Sequence, residues 1–204
     1  MMRVGVLASG SGSNFQALVD ALNVPGSPAE VAVLVCNVAG ARVLDRARAA
    51  GVAAVLMVHR RWPNREAYDA AVADELARHG VDLICLAGYM RLVSPTFLKR
   101  FPGKVINLHP ALLPSFPGLN AVRQALAAGV KVTGCTVHFV DEGTDTGPII
   151  AQAAVPVLPN DDEASLGARI HEQEHRLFPT VVKAIAEGRV RLQGRQVLVS
   201  ERIG

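Results

Sequence analysis

The stretch Lys104-Val105-Ile106-Asn107-Leu108-His109-Pro110 delivers two polar side chains, Asn107 and His109, at the end of an apolar run. Residues two apart in an extended strand share a face, roughly 6–7 Å apart at a rise of about 3.3 Å per residue. Asn107 and His109 are therefore expected to project into one space. Pro110 has no N–H with which to continue a ladder, so the strand is expected to stop just after His109. An amide donor beside an imidazole at a strand's carboxyl end suits a carbonyl whose oxygen gains negative charge. A histidine at a strand end is more often a satisfied structural residue. Three features weigh the other way here: the co-facing Asn107, an acidic glycine loop and an anion-friendly turn.

The acidic loop is Asp141-Glu142-Gly143-Thr144-Asp145-Thr146-Gly147-Pro148. Two glycines, a proline and three acids form no regular element. The plain reading is an acidic hairpin loop; the sharper one has Asp145 folding back over His109. The anion-friendly turn is Ser9-Gly10-Ser11-Gly12-Ser13-Asn14, between the apolar run Val4–Ala8 and a helical pattern on Phe15, Leu18, Val19 and Leu22. A strand, a glycine-rich turn and a helix aim backbone N–H groups and a helix N-terminus at one spot, which favours phosphate. The alternative is an ordinary turn capped by Ser or Asn. The spacing is neither G-x-G-x-x-G nor a P-loop.

The elements that must position these groups alternate. Apolar runs at Val31–Cys36, Ala53–Val58, Val81–Ala87 and Val105–His109 read as strands. Arg42–Ala50, Pro95–Arg100 and the segment after Asn64 read as helices, the last with a stripe of Tyr68, Val72, Leu76 and Ala77. Beyond a proline-rich loop at Ala111–Gly118 come a short helix at Ala121–Ala128 and strands at Val132–Val140 and Ile149–Val157. One long helix is expected over Glu163–Gly188, kinked at Pro179. Val190–Val199 reads as a terminal hairpin or edge strand. The pattern predicts an α/β, Rossmann-like fold: a mainly parallel sheet with an antiparallel or mixed edge, and helices on both faces.

At 204 residues, 50% hydrophobic and 19% charged, the chain is expected to form a single domain over 1–204 with a sizeable core. A net charge of +3 is too small to point to nucleic acid and is compatible with a small anionic substrate. No apolar run is long enough for a membrane span or a leader, so a cytoplasmic protein is expected. Cys36, Cys85 and Cys135 each lie in an apolar run with no C-x-x-C pair, and read as buried free thiols. No metal is expected.

Four segments together carry a family resemblance. They are Ser-Gly-Ser-Gly-Ser-Asn (9–14), Ala-Gly-Tyr-Met-Arg-Leu-Val (87–93), Ile-Asn-Leu-His-Pro-Ala-Leu-Leu-Pro (106–114) and Gly-Cys-Thr-Val-His-Phe-Val-Asp-Glu-Gly-Thr-Asp-Thr-Gly-Pro-Ile-Ile (134–150). Over nearly its whole length the chain resembles the folate-dependent formyltransferases. The turn near the start narrows the likeness to the glycinamide ribonucleotide (phosphoribosylglycinamide) formyltransferase family of purine synthesis. The resemblance implies formyl transfer from 10-formyltetrahydrofolate, as co-substrate, to the primary amine of glycinamide ribonucleotide.

It also implies roles. Asn107, His109 and Asp145 carry the chemistry; Gly12, Ser13, Asn14 and Glu174 meet the ribonucleotide. Arg65, Met90, Arg91, Leu92, Val93 and Asn107 meet the folate, and His138 is a further candidate at the site. The N-terminal half is expected to bind the phosphate, the C-terminal half the folate and the reacting groups. His171 stands where the family often has glutamine, so that contact does not carry over directly. Small molecules are the expected partners, with no nucleic acid or membrane, and a monomer or homodimer is expected.

Two other readings stay open. One is a formyltetrahydrofolate hydrolase, whose usual extra N-terminal domain is not expected here. The other is a non-catalytic nucleotide-binding module, which predicts a G-x-G-x-x-G and an acid after the second strand, where Cys36-Asn37 stands. A transferase acting on aminoacyl-tRNA predicts a second, basic C-terminal domain, for which no room is expected.

Overall fold

A computed structural model of the chain describes residues 1–200. The chain separates into two compact units, Met1–Ile106 and a second that begins at Asn107.

The first unit alternates strand and helix: β1 (Met2–Ala8), α1 (Ser13–Leu22), β2 (Ala29–Cys36), α2 (Arg42–Ala49), β3 (Ala53–Leu56), α3 (Arg65–Arg78), β4 (Leu83–Leu86) and α4 (Pro95–Arg100). Its strands run in the order β3-β2-β1-β4, and every pairing in it is parallel. β1 and β4 are buried without alternation, the mark of strands covered on both faces. Val4, Val6, Leu7, Leu34 and Ile84 pack here with Phe15 and Leu18 of α1 and with Tyr68 and Leu76 of α3, all essentially without solvent contact. β3 is an edge strand with mostly exposed side chains.

Strand β5 (Val105–His109) ends where Pro110 removes the next ladder donor, and its last three residues open the second unit. There follow α5 (Ala121–Ala127), β6 (Val132–Phe139), β7 (Ile149–Pro156), α6 (Glu163–Ala186), β8 (Val190–Gln193) and β9 (Gln196–Val199). β6 and β7 pair antiparallel, which makes the sheet mixed as expected. β8 and β9 form their own antiparallel hairpin. Helix α6 opens on a reciprocal cap between Asp162 and Ser165 and packs Leu166, Ile170, Leu177, Phe178, Val181 and Val182 inward.

The structure departs from the sequence pattern in small ways. β3 stops at Leu56, short of the Val58 expected, and the chain makes a single 3-10 turn at His59–Arg61. The inner stripe of α3 is Tyr68, Val72, Ala73 and Leu76; Ala77 falls one position outside it and is exposed. α6 is the one long helix expected, with Pro179 inside it. The three cysteines are buried and free, as expected, and burial pushes each thiol above its ordinary range, Cys135 to about 12. Among the described residues no helix is long and apolar enough to cross a membrane.

Candidate active site

The reacting groups predicted from sequence gather at the end of β5 in the second unit. Asn107 and His109 leave the same face of that strand, and both meet one carboxylate. Asp145 Oδ1 accepts from Asn107 Nδ2 at 3.3 Å, and Oδ2 lies 3.3 Å from His109 Nδ1. The Asp145 backbone sits at φ 54°, in the left-handed region an L residue rarely enters, which turns the side chain back toward the strand. Gly147 lets that return happen. A Cβ there would stand 1.7 Å from the Phe139 carbonyl oxygen, so only glycine fits the approach.

Two groups that sequence reasoning did not single out complete the shell. The Gly118 N–H donates to Asp145 Oδ2 at 2.8 Å. The Phe116 carbonyl lies 2.8 Å from His109 Nε2. Both belong to the irregular loop after β5, and the only sequence signal for them was the Pro117-Gly118 turn pair. Thr136 on β6 and Gln152 on β7 hold that loop. The Thr136 hydroxyl donates to the Ala111 carbonyl at 2.6 Å and accepts from Leu113 N–H at 3.1 Å, and Gln152 donates to the Leu113 carbonyl at 2.9 Å.

His138 enters the same cluster. Its Nδ1 faces the Phe139 carbonyl at 2.8 Å, so that nitrogen carries the proton. Nε2 lies 3.2 Å from Asn107 Nδ2 and 3.6 Å from Asp145 Oδ1. The neutral ring thus accepts from the asparagine amide, and the charged ring pairs with the carboxylate. His109 has oxygen acceptors at both nitrogens, and the doubly protonated ring satisfies both. Both histidines are nearly closed to solvent, at 4% and 2% exposure. Burial alone would raise the Asp145 carboxyl. The hydrogen bond from His138, the Gly118 N–H and the two nearby imidazoles outweigh it and hold the group below its ordinary value of 3.8.

Further along the second unit, Glu174 on α6 is 3% exposed, buried rather than solvated. His171 Nδ1 lies 2.7 Å from Glu174 Oε2, and that hydrogen bond raises the imidazole's pKa despite the desolvation that opposes it. The residue that departs from the family pattern is therefore bound to the candidate substrate carboxylate. The run His171-Glu172-Gln173-Glu174-His175 also has the H-E-x-x-H spacing of some metal sites, which the expectation of no metal had passed over. Here the two rings stack at 6.2 Å between centroids, and among the described residues no three ligating side chains are grouped to hold an ion.

The first unit holds the other candidates. Gly12 caps α1 at φ 75° and no side chain caps the helix, so the turn is not the ordinary Ser- or Asn-capped kind. A Cβ on Gly12 would meet Val43 Cγ2 at 2.5 Å, so α2 packs directly against the turn. Val43 N–H donates to the Gly10 carbonyl at 3.1 Å and Arg46 Nε to the Ser11 carbonyl at 2.9 Å, which fixes the turn from outside. Gly12, Ser13 and Asn14 stand at this helix start.

Arg65, at the start of α3, donates to the Val93 carbonyl at 2.6 Å, so two of the folate candidates are directly joined. Ser9, read from the sequence only as the first residue of the turn, links it to the same segment: its hydroxyl donates to Asn37 at 2.6 Å and accepts from Met90 N–H at 2.8 Å. Arg91 lies 4.8 Å from the Tyr68 ring centroid, and the Tyr89 and Tyr68 hydroxyls are 3.1 Å apart. Met90 and Leu92 remain 65% and 59% exposed, an apolar pair beside these polar anchors.

Residues 2–182 match the formyl transferase family. The phosphoribosylglycinamide formyltransferase of Bacillus subtilis (strain 168) is 46% identical over 91% of this chain and 95% of its own length. The crystal structure of glycinamide ribonucleotide transformylase 1 from Symbiobacterium toebii superposes with a TM-score of 0.96 at 53% identity, covering 98% of this chain and 94% of that one. The trifunctional purine biosynthetic protein adenosine-3 of Drosophila pseudoobscura pseudoobscura is 49% identical over 93% of this chain, which spans only 14% of that protein's length. With those matches and the Asn107–His109–Asp145 cluster in place, the chain belongs to the phosphoribosylglycinamide formyltransferase family.

Proposed function

We propose that this chain transfers a formyl group from 10-formyltetrahydrofolate to the primary amine of glycinamide ribonucleotide, a step of purine synthesis. The observation that carries the reading is the single carboxylate of Asp145, hydrogen-bonded by Asn107 and 3.3 Å from His109 Nδ1. The amine attacks the formyl carbon and the formyl oxygen becomes an oxyanion. His109 Nε2 exchanges the Phe116 carbonyl for that oxygen, and the Asn107 amide turns one N–H to it. Asp145 balances the imidazolium. A proton leaves the attacking amine and reaches the folate nitrogen, relayed by His109 or by water held on Asp145. Collapse of the intermediate then expels tetrahydrofolate.

The ribonucleotide phosphate falls to Gly12, Ser13 and Asn14, where an uncapped helix start offers N–H groups to an anion. Glu174 meets the rest of that substrate. Arg65, Met90, Arg91, Leu92, Val93 and Asn107 take the folate, with main-chain groups of 90–93 reading its pterin. His138 supports Asn107 and Asp145. Residues 1–204 act as one functional domain in the cytoplasm, as a monomer or homodimer, on small molecules alone and without a metal.

The test is the absorbance change on loss of 10-formyltetrahydrofolate, with and without glycinamide ribonucleotide. Turnover that requires the amine is expected. Turnover without it would make the chain a formyltetrahydrofolate hydrolase, and no turnover with either would leave a binding module.

A further inference from the structure

The segment that presents Asp145 is braced from two sides. Within it, Asp141 Oδ1 accepts from the Gly143 N–H at 3.1 Å and from the Thr146 hydroxyl at 2.6 Å. From the hairpin comes Arg195, in the turn between β8 and β9. Its Nη2 donates to the Thr146 carbonyl at 2.6 Å, and its Nη1 lies 3.6 Å from Asp141 Oδ2. Apart from that contact the loop and the hairpin line a cavity of about 690 Å³, walled by Pro117, Thr144, Pro148, Val197 and Leu198 among others. Close packing therefore does not hold the loop on this side. Asp145 itself keeps a backbone conformation an L residue adopts only under restraint.

We propose that Arg195 is a positioning residue for the reaction: by gripping the Thr146 carbonyl, one residue from Asp145, the terminal hairpin holds the carboxylate at His109 and Asn107. The assignment rests on the reading of Asp145 as part of the reacting cluster. Arg195 touches neither His109 nor Asn107 and acts only through the loop. Its side chain is 74% exposed, so the ion pair with Asp141 is screened by solvent and the hydrogen bond to the carbonyl is the grip that matters. Without it the loop has an open cavity to relax into, and Asp145 leaves its donors for part of the time. A partly populated competent state lowers kcat in proportion and leaves ground-state binding of the ribonucleotide at the helix start of α1 unchanged.

The experiment compares Arg195→Ala, Arg195→Lys and Asp145→Asn with the wild-type chain, by steady-state kinetics and thermal melting. Arg195→Ala is expected to lose about tenfold in kcat, with KM for the ribonucleotide within about twofold and an unchanged melting temperature. Arg195→Lys, which keeps a donor for the carbonyl, is expected to recover most of that loss. Wild-type kcat in Arg195→Ala beside an inactive Asp145→Asn would overturn the assignment and leave the reading of the site standing. A kcat loss that lysine does not recover, or one that tracks a lower melting temperature, would also overturn it. Wild-type turnover in Asp145→Asn would remove the reading of the site and this assignment together.

Discussion

Two loops that follow strands in this chain work by opposite means. The turn after β1 is made of backbone: Gly12 in a left-handed conformation, an uncapped helix and carbonyl groups held by Val43 and Arg46 from outside. The loop after β6 is made of side chains. Asp145 meets His109, Asn107, His138 and the Gly118 N–H, from three different parts of the second unit. A backbone device depends on shape, so it should fail when a Cβ is added and tolerate changes in side-chain chemistry that keep its charge. A side-chain device depends on the identity of each group, so single-atom changes should stop it while the fold persists.

The comparison can be broken at either loop. The largest expected effect is at the side-chain device. His109→Ala removes the donor meant for the oxyanion and should lower turnover at least about a hundredfold, with circular dichroism unchanged. Near-normal turnover of the purified variant would end the reading of that cluster. Next comes Gly12→Ala, which drives a Cβ into Val43 and strains a positive φ. Overpacking of this kind costs about 1–3 kcal/mol, to be read from urea unfolding, and His109→Ala should show nothing comparable. An unchanged midpoint for Gly12→Ala would mean that the turn yields easily and is not shape-limited.

A third change keeps the shape of the turn and alters its charge. Ser13→Asp places a carboxylate against the expected phosphate and should weaken ribonucleotide binding tenfold or more, about 1.4 kcal/mol, with folate binding largely spared. Calorimetry giving equal affinities for variant and wild type would remove the turn from the site. The smallest expected effect is one of pH. Asp145 is held below 3.8 in the folded chain, so its ionised form contributes stability that is fully present above pH 3.8 and is lost as pH falls through its own lower value. The stability difference between wild type and Asp145→Asn should therefore be constant near neutrality and shrink below pH 3.8. A difference that grows toward acid would show that the carboxylate is not held by donors.

The two loops also differ in how far they could be read in advance. The turn after β1 lies within six residues of a strand and a helix, so local composition announced it. Asn107 and His109 were legible for a similar reason, since a strand's two-residue period puts them on one face and Pro110 marks its end. That Asp145 reaches them across a separation of more than thirty residues had only the glycine-rich acidic loop to suggest it. Gly118 and Phe116 had only a proline-glycine turn to mark them, because they act through backbone groups that every residue has, and Ser9 stood in the turn with nothing to set its role apart from the other serines there. That Glu174 is buried was decided only by the packing of α6.

By itself, then, the order of amino acids determined whatever depends on neighbours along the chain: the alternation of strands and helices, the parallel core with its antiparallel edge, the glycine-rich turn before α1 and the facing pair on β5. Periodicity and turn chemistry act over a few residues, and both are written in the sequence. Only the tertiary structure decided which backbone groups complete the Asp145 shell, that His171 binds Glu174, that His109 rests on a carbonyl, and that a terminal hairpin grips the acidic loop through Arg195. The grip of Arg195 and the Gly118 donor join residues far apart in the chain, while His171 and His109 meet near neighbours that only the folded backbone brings into reach. Their partners are chosen by packing and by the need of each buried polar group for a hydrogen bond, which no local pattern records.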